Sequence, residues 1–237
     1  MMRFVRAELR SIRGTRSIAA TAVGAVAIAA VAAIFGTANE LTDLLQTEVV
    51  VLSLLLLIAG AIAGAGEFQH GTVVWTALAA PRRGDAVAAK LIAAAVLGIV
   101  VTAAVLGVTW IVGALKEGGL SAGTGVGELV AGQLVLGMLT AIFGLACGMA
   151  LRNLPAAVGV VFTLALLVPL VFEAKQSLAE EARFLPYGEL SASALALGSA
   201  PASSGPQLEV AAGGAVLLGW TALVSAAALT RFVGQDI

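Results

Sequence analysis

The chain has 237 residues, 60% of them hydrophobic and only 11% charged, with a mean hydropathy of +1.04; soluble domains are about a quarter charged. That apolar content excludes a water-soluble globular core, and a formal net charge of -1 gives no electrostatic footprint for nucleic acid. A single cysteine, Cys147, excludes an intrachain disulfide and a thiolate metal cluster, and a single histidine, His70, argues against Ser-His-Asp, Cys-His and multi-histidine zinc arrangements.

Six charge-free stretches organise the chain: 17–39, 49–66, 91–115, 129–151, 153–172 and 210–230. A helix needs about 20 apolar residues to cross the hydrocarbon core. The pattern therefore predicts an all-α polytopic membrane protein, a single transmembrane domain with spans at about 17–39, 49–66, 88–115, 129–151, 154–172 and 209–230.

Residues 1–16 precede the first span. On a helical wheel Met1, Met2, Phe4, Val5, Leu9 and Ile12 fall on one side, and Arg3, Arg6, Arg10 and Arg13 cluster on another. That is the pattern of an amphipathic helix lying in the membrane interface. The first apolar run is longer than a signal-peptide core, and its exit at Thr37 and Asn39 lacks a convincing cleavage site, so it is expected to be retained.

The second span leads into a cytoplasmic segment, 67–87, with its own start and stop signals. Gly71 can break the preceding helix, Thr72 can cap a short one, and Pro81 cannot continue it, leaving about two turns over 73–80. Val73, Trp75 and Leu78 make that helix apolar, and Glu67, Arg82, Arg83 and Asp85 flank it. An aromatic anchor ringed by charges suits a protein-docking surface; an interfacial helix resting on lipid would use Trp75 in the same way. Glu67 is placed to reach Arg82, Arg83 or the N-terminal arginines, fixing the angle at which the short helix leaves the membrane.

Further along, Gly60 and Gly64 in the second span and Gly144 and Gly148 in the fourth are each spaced by four, which permits close approach of helix backbones. This supports a tight bundle without naming an interface. The polar residues Thr102, Thr109, Gln133, Asn153 and Thr163 form no nucleophile-base pair at helical spacing, and Cys147 reads as a small packing residue. In the longest loop, 173–207, the apolar pieces 184–188 and 194–198 are too short to cross; with Phe184 and Tyr187 they suit short helices dipping into the outer leaflet.

Orientation follows from the basic residues. Arg3, Arg6, Arg10, Arg13, Arg16, Arg82, Arg83, Lys90, Arg152 and Arg231 fall on one side, leaving only Lys116, Lys175 and Arg183 of the thirteen on the other. The positive-inside rule then places both termini in the cytoplasm. No Gly-x-x-x-x-Gly-Lys-Ser/Thr phosphate loop occurs, so any ATPase driving this chain is a separate polypeptide.

The run of Glu67, Phe68, Gly71, Thr72, Leu78, Pro81, Arg82, Arg83 and the later Lys90 resembles the cytoplasmic loop of type-2 ATP-binding-cassette exporter permeases. The basic N-terminal helix is similar to that family's connecting helix, and the ending 231–237 to its C-termini. The resemblance implies that 67–87 contains a coupling helix docking in a groove of a nucleotide-binding subunit, that ATP and magnesium are bound on that partner rather than here, and that 173–207 forms an external re-entrant hairpin. It also implies two permease chains per transporter, as a homodimer or heterodimer, with the pathway lined mainly by the second and fifth spans.

The expected function is thus a non-enzymatic permease subunit exporting a hydrophobic or amphipathic antibiotic, peptide or lipid from a bacterial cell, as in multidrug efflux. The apolar spans favour such cargo over ions and sugars, and the Ala-, Gly- and Arg-rich composition suggests a GC-rich bacterial gene and a plasma-membrane location. Two alternatives stand beside it. An ion-coupled secondary transporter would need ionisable groups at membrane depth, and a membrane sensor or assembly subunit would be expected to carry a sizeable soluble region.

Overall fold

The computed structural model describes residues 6–8, 10–11, 15–35, 41–72, 83–115, 126–167 and 210–234, with backbone only at 41–48, 50, 83, 166, 210 and 211. Among these residues all regular structure is helical. The helices are α1 Arg16–Phe35, α2 Leu41–Gln69, α3 Arg83–Leu115, α4 Val126–Leu151, α5 Leu154–Phe162, which continues as a π turn over Thr163–Leu167, and α6 Val210–Val233. Residues 6–8 and 10–11 are also helical.

α1, α2, α3, α4 and α6, five helices in all, are long and apolar enough to cross a membrane. Their outward faces agree: Val23, Phe35, Val100, Ile111, Leu218 and Leu223 are each more than half exposed. Such a surface suits hydrocarbon, in which helices satisfy their own backbone groups. α5 and its π turn are shorter; residues 168–172 of the predicted fifth span, and the predicted external hairpin at 173–207, lie outside the described residues.

α4 is the hub. In its apolar stretch 67% of residues are buried, against 22% in α1 and 28% in α6. It packs on α2, α3, α5 and α6, while α1 lies against α2 and α3. The α2–α4 contact is a glycine seam. A Cβ on Gly60 would sit 2.5 Å from the Ala141 carbonyl oxygen, and one on Gly148 2.5 Å from that of Ala61. Gly64 and Gly144 would likewise meet the carbonyls of Leu145 and Leu57. Backbone touches backbone, so the two small-residue pairs mesh with each other. A second close approach joins Gly98 of α3 to Gly137 of α4, where the Thr102 side chain occupies the space of a Gly137 Cβ.

Thr102, Thr109, Gln133, Thr140 and Thr221 are buried inside the bundle. The Thr140 hydroxyl donates to the Leu136 carbonyl at 2.6 Å and the Thr221 hydroxyl to Leu217 at 2.7 Å, the back-bonding that lets threonine sit in an apolar helix. α2 has 29 residues and α3 has 33; at 1.5 Å per residue each is roughly 45–50 Å long, against about 30 Å of hydrocarbon. Both can therefore extend past the apolar layer. The C-terminal turn of α2 and the first turns of α3 stand at the same end and carry the charges described next.

Candidate functional site

α2 ends by a defined motif. Gly71 adopts φ 68, its N–H donates to the Phe68 carbonyl at 3.4 Å, and the Thr72 N–H donates to the Glu67 carbonyl at 3.0 Å. This is the paired closure of a Schellman turn, which needs a left-handed residue and so favours glycine. It fixes Glu67 and Phe68 on the final turn, about 100° apart around the helix. The two side chains then serve different neighbours.

Glu67 turns toward Lys90. Lys90 is 4% exposed, and its ammonium pairs with Glu67 and makes a second ion pair of 2.9 Å with Glu8 of the N-terminal segment. α3 begins at Arg83, so Lys90 lies two turns inside it rather than in a loop, between Ala89 and Leu91. A buried ammonium without partners is very costly; two carboxylates answer that cost and tie together the N-terminal segment, the end of α2 and the start of α3. The side chains of Glu8 and Glu67 are 15% and 20% exposed, so the junction is partly shielded from screening water.

Phe68 turns the other way. It packs on a core of Ala86 and Val87 from α3, Leu145 and Met149 from α4, and Phe232 from α6. The Arg152 guanidinium lies 5.2 Å from its ring centroid, within cation–π range. Arg152 itself has φ 57, and its N–H donates to the Gly148 carbonyl at 2.9 Å, closing α4 with a left-handed cap that costs a non-glycine residue about 1–2 kcal/mol. Asn153 next door caps α5, its side-chain oxygen accepting from the Ala156 N–H at 3.3 Å, with Pro155 in the first turn.

The last helix joins the same end. Arg152 donates to the Arg231 carbonyl at 2.5 Å, and Arg231 donates to the Ala150 carbonyl at 2.6 Å. Each arginine thus caps the C-terminus of the other's helix, where carbonyls carry partial negative charge. A cleft of about 360 Å³ opens beside the Lys90 junction, lined by Glu8, Ser11, Thr15, Ile62, Glu67 and His70 among others.

Of the residues expected to meet an ATPase, Glu67, Phe68, Gly71 and Thr72 are in place at this end, Gly71 and Thr72 exposed. Val73, Trp75, Leu78, Pro81 and Arg82 lie outside the described residues, as does the Arg83 side chain. Lys90 is an ion-pair partner of Glu67; Arg82, the Arg83 side chain, Arg3 and Arg13, which the sequence also offers to Glu67, lie outside the described residues. Glu8, Arg152 and Arg231 were missed as contact residues. A lone acid among arginines and a lysine framed by apolar residues were the available signals; nothing local pairs them.

The arrangement holds helices together. Among the described residues no group of three His, Cys, Asp or Glu could hold a metal, and Thr102 keeps a buried hydroxyl without an acceptor. No protein-family model matches the chain, and no curated protein matches it.

Proposed function

We propose that the chain is the permease subunit of an ATP-driven exporter of the kind its 67–90 segment resembles, the type-2 ATP-binding-cassette permeases. In this reading it has six spans and an external re-entrant hairpin, with both termini on the cytoplasmic face of a bacterial plasma membrane. It pairs with a second permease chain and with a separate nucleotide-binding subunit that holds ATP and magnesium.

One observation carries the reading: both roots of the 73–82 segment are clamped in a single polar junction. Glu67 precedes the segment, Lys90 follows it, and Glu8 joins them. A segment anchored on both sides passes a displacement into the two helices it connects, whereas a slack loop absorbs it. An ATPase moving on residues 73–82 would therefore tilt α2 and α3 together. Because α2 meets α4 backbone to backbone, the tilt would reach the centre of the bundle and open the pathway outward; release of the ATPase pair after hydrolysis would reset it.

The ion-coupled alternative needs ionisable groups at mid-membrane depth. Among the described residues the one buried charge is Lys90, at the junction end. With so apolar an interior the cargo is hydrophobic or amphipathic: an antibiotic, a lipid or a modified peptide.

The test is Glu67→Ala assayed with the partner ATPase. Hydrolysis should continue while export of an amphipathic cargo falls, with insertion unchanged. Unaltered export by this variant would remove the junction from the mechanism.

A further inference from the structure

The reciprocal arginine pair has charge to spare. Arg152 and Arg231 each make one described hydrogen bond to a carbonyl, although a guanidinium carries five N–H donors. Neither forms an ion pair with any described carboxylate. The Arg152 Nε is buried with no acceptor. The two helix C-termini that they cap supply about half a negative charge each, which leaves the pair, among the described residues, a net charge of about +1.

The pair opens onto space. A cleft of about 490 Å³ is lined by Arg152, Thr230, Arg231 and Gly234. It lies where two apolar helices end, α4 at Leu151 and α6 at Val233, and Leu151, Leu229 and Val233 are all more than a third exposed. Two guanidiniums at the boundary of an apolar surface have the chemistry to take one tetrahedral anion bearing hydrocarbon chains.

We infer that Arg152 and Arg231 form a binding site for the phosphate of an anionic diacyl phospholipid, with its acyl chains running along the apolar ends of α4 and α6. One phosphodiester charge matches the residual charge of the pair, and basic pockets between helices at the membrane surface are where such headgroups bind. The site is independent of cargo and of the ATPase. It rests on the proposed orientation only for the leaflet from which the lipid comes.

The experiment uses the full chain in nanodiscs of phosphatidylcholine containing a photoreactive phosphatidylglycerol, with labelled peptides mapped by mass spectrometry. In the wild type, labelling should concentrate on peptides covering 150–154 and 227–234. Arg231→Gln should reduce it roughly five-fold, and the Arg152→Gln, Arg231→Gln double variant roughly twenty-five-fold, at one such factor per basic residue; Arg231→Lys should retain most of it. Labelling of the wild type confined to the N-terminal arginines would overturn the assignment without requiring any variant to fold. Complete displacement of the label by millimolar inorganic phosphate would overturn the lipid as the source of the anion. Undiminished labelling in the double variant, accompanied by loss of a co-purifying protein, would overturn it in favour of a carboxylate on a partner.

Discussion

The seam between α2 and α4 and the junction at their end are held by opposite means. Along the seam Gly60, Gly64, Gly144 and Gly148 put backbone on backbone with no charge involved. At the end Lys90, Glu8, Glu67, Arg152 and Arg231 hold five segments by ion pairs and charge-assisted hydrogen bonds. Close packing has one good arrangement and resists deformation. Ion pairs can break and re-form with new partners, and the two carboxylates of this junction keep some contact with water. The seam therefore sets the geometry, and the end is where an outside force can act on it.

That contrast breaks first at the seam. Gly64→Val pushes a side chain into the Leu145 carbonyl and should cost about 3 kcal/mol, measured by reversible unfolding in mixed micelles. Gly66→Ala, two residues along the same helix where a Cβ meets nothing within 4 Å, should be neutral or stabilising by up to about 1 kcal/mol. Equal effects at the two positions would deny the seam its role.

At the junction, Lys90→Met removes the ammonium that Glu8 and Glu67 share. The loss should be about 2–3 kcal/mol, less than for a fully dry pair because both acids keep some water. Adding Glu8→Gln and Glu67→Gln should recover most of it; a triple variant no better than the single would show that Lys90 acts through packing. A smaller split is expected at the α4 cap. Arg152→Gly and Arg152→Ala both lose the guanidinium, but the glycine also sheds the left-handed backbone cost and should be the more stable by about 1 kcal/mol. Smallest, Gly71→Ala places a Cβ in open space at φ 68 and should cost about 1 kcal/mol, through the backbone alone.

The sequence resolves the two regions unequally. Apolar run length predicted six spans, and five membrane-length helices stand among the described residues at predicted positions, because crossing a bilayer is a one-dimensional requirement. The four-residue glycine spacing showed that helices would touch closely, yet which faces which depends on a pairing of α2 with α4 across some eighty residues, and no local pattern encodes it. The junction was hardest to see. Lys90 reads as a basic residue on the inner side and as the end of the 67–90 motif, but its burial depends on Glu8, 82 positions away. Arg152 reads as an orientation signal and Arg231 as that and as the start of the 231–237 ending; nothing in either pattern pairs them, since their exchange of carbonyl partners spans 79 positions. The π turn at Thr163–Leu167 had no sequence signal at all.

The most direct test of the account is to tag the C-terminus, extract the chain gently from its native membrane and identify what co-purifies, comparing wild type with a charge-reversed Arg82→Glu, Arg83→Glu variant. The account predicts a phosphate-loop ATPase with the wild type and less of it with the variant. A well-folded chain that brings down no ATPase under any mild condition would contradict it and point to a transporter driven by an ion gradient.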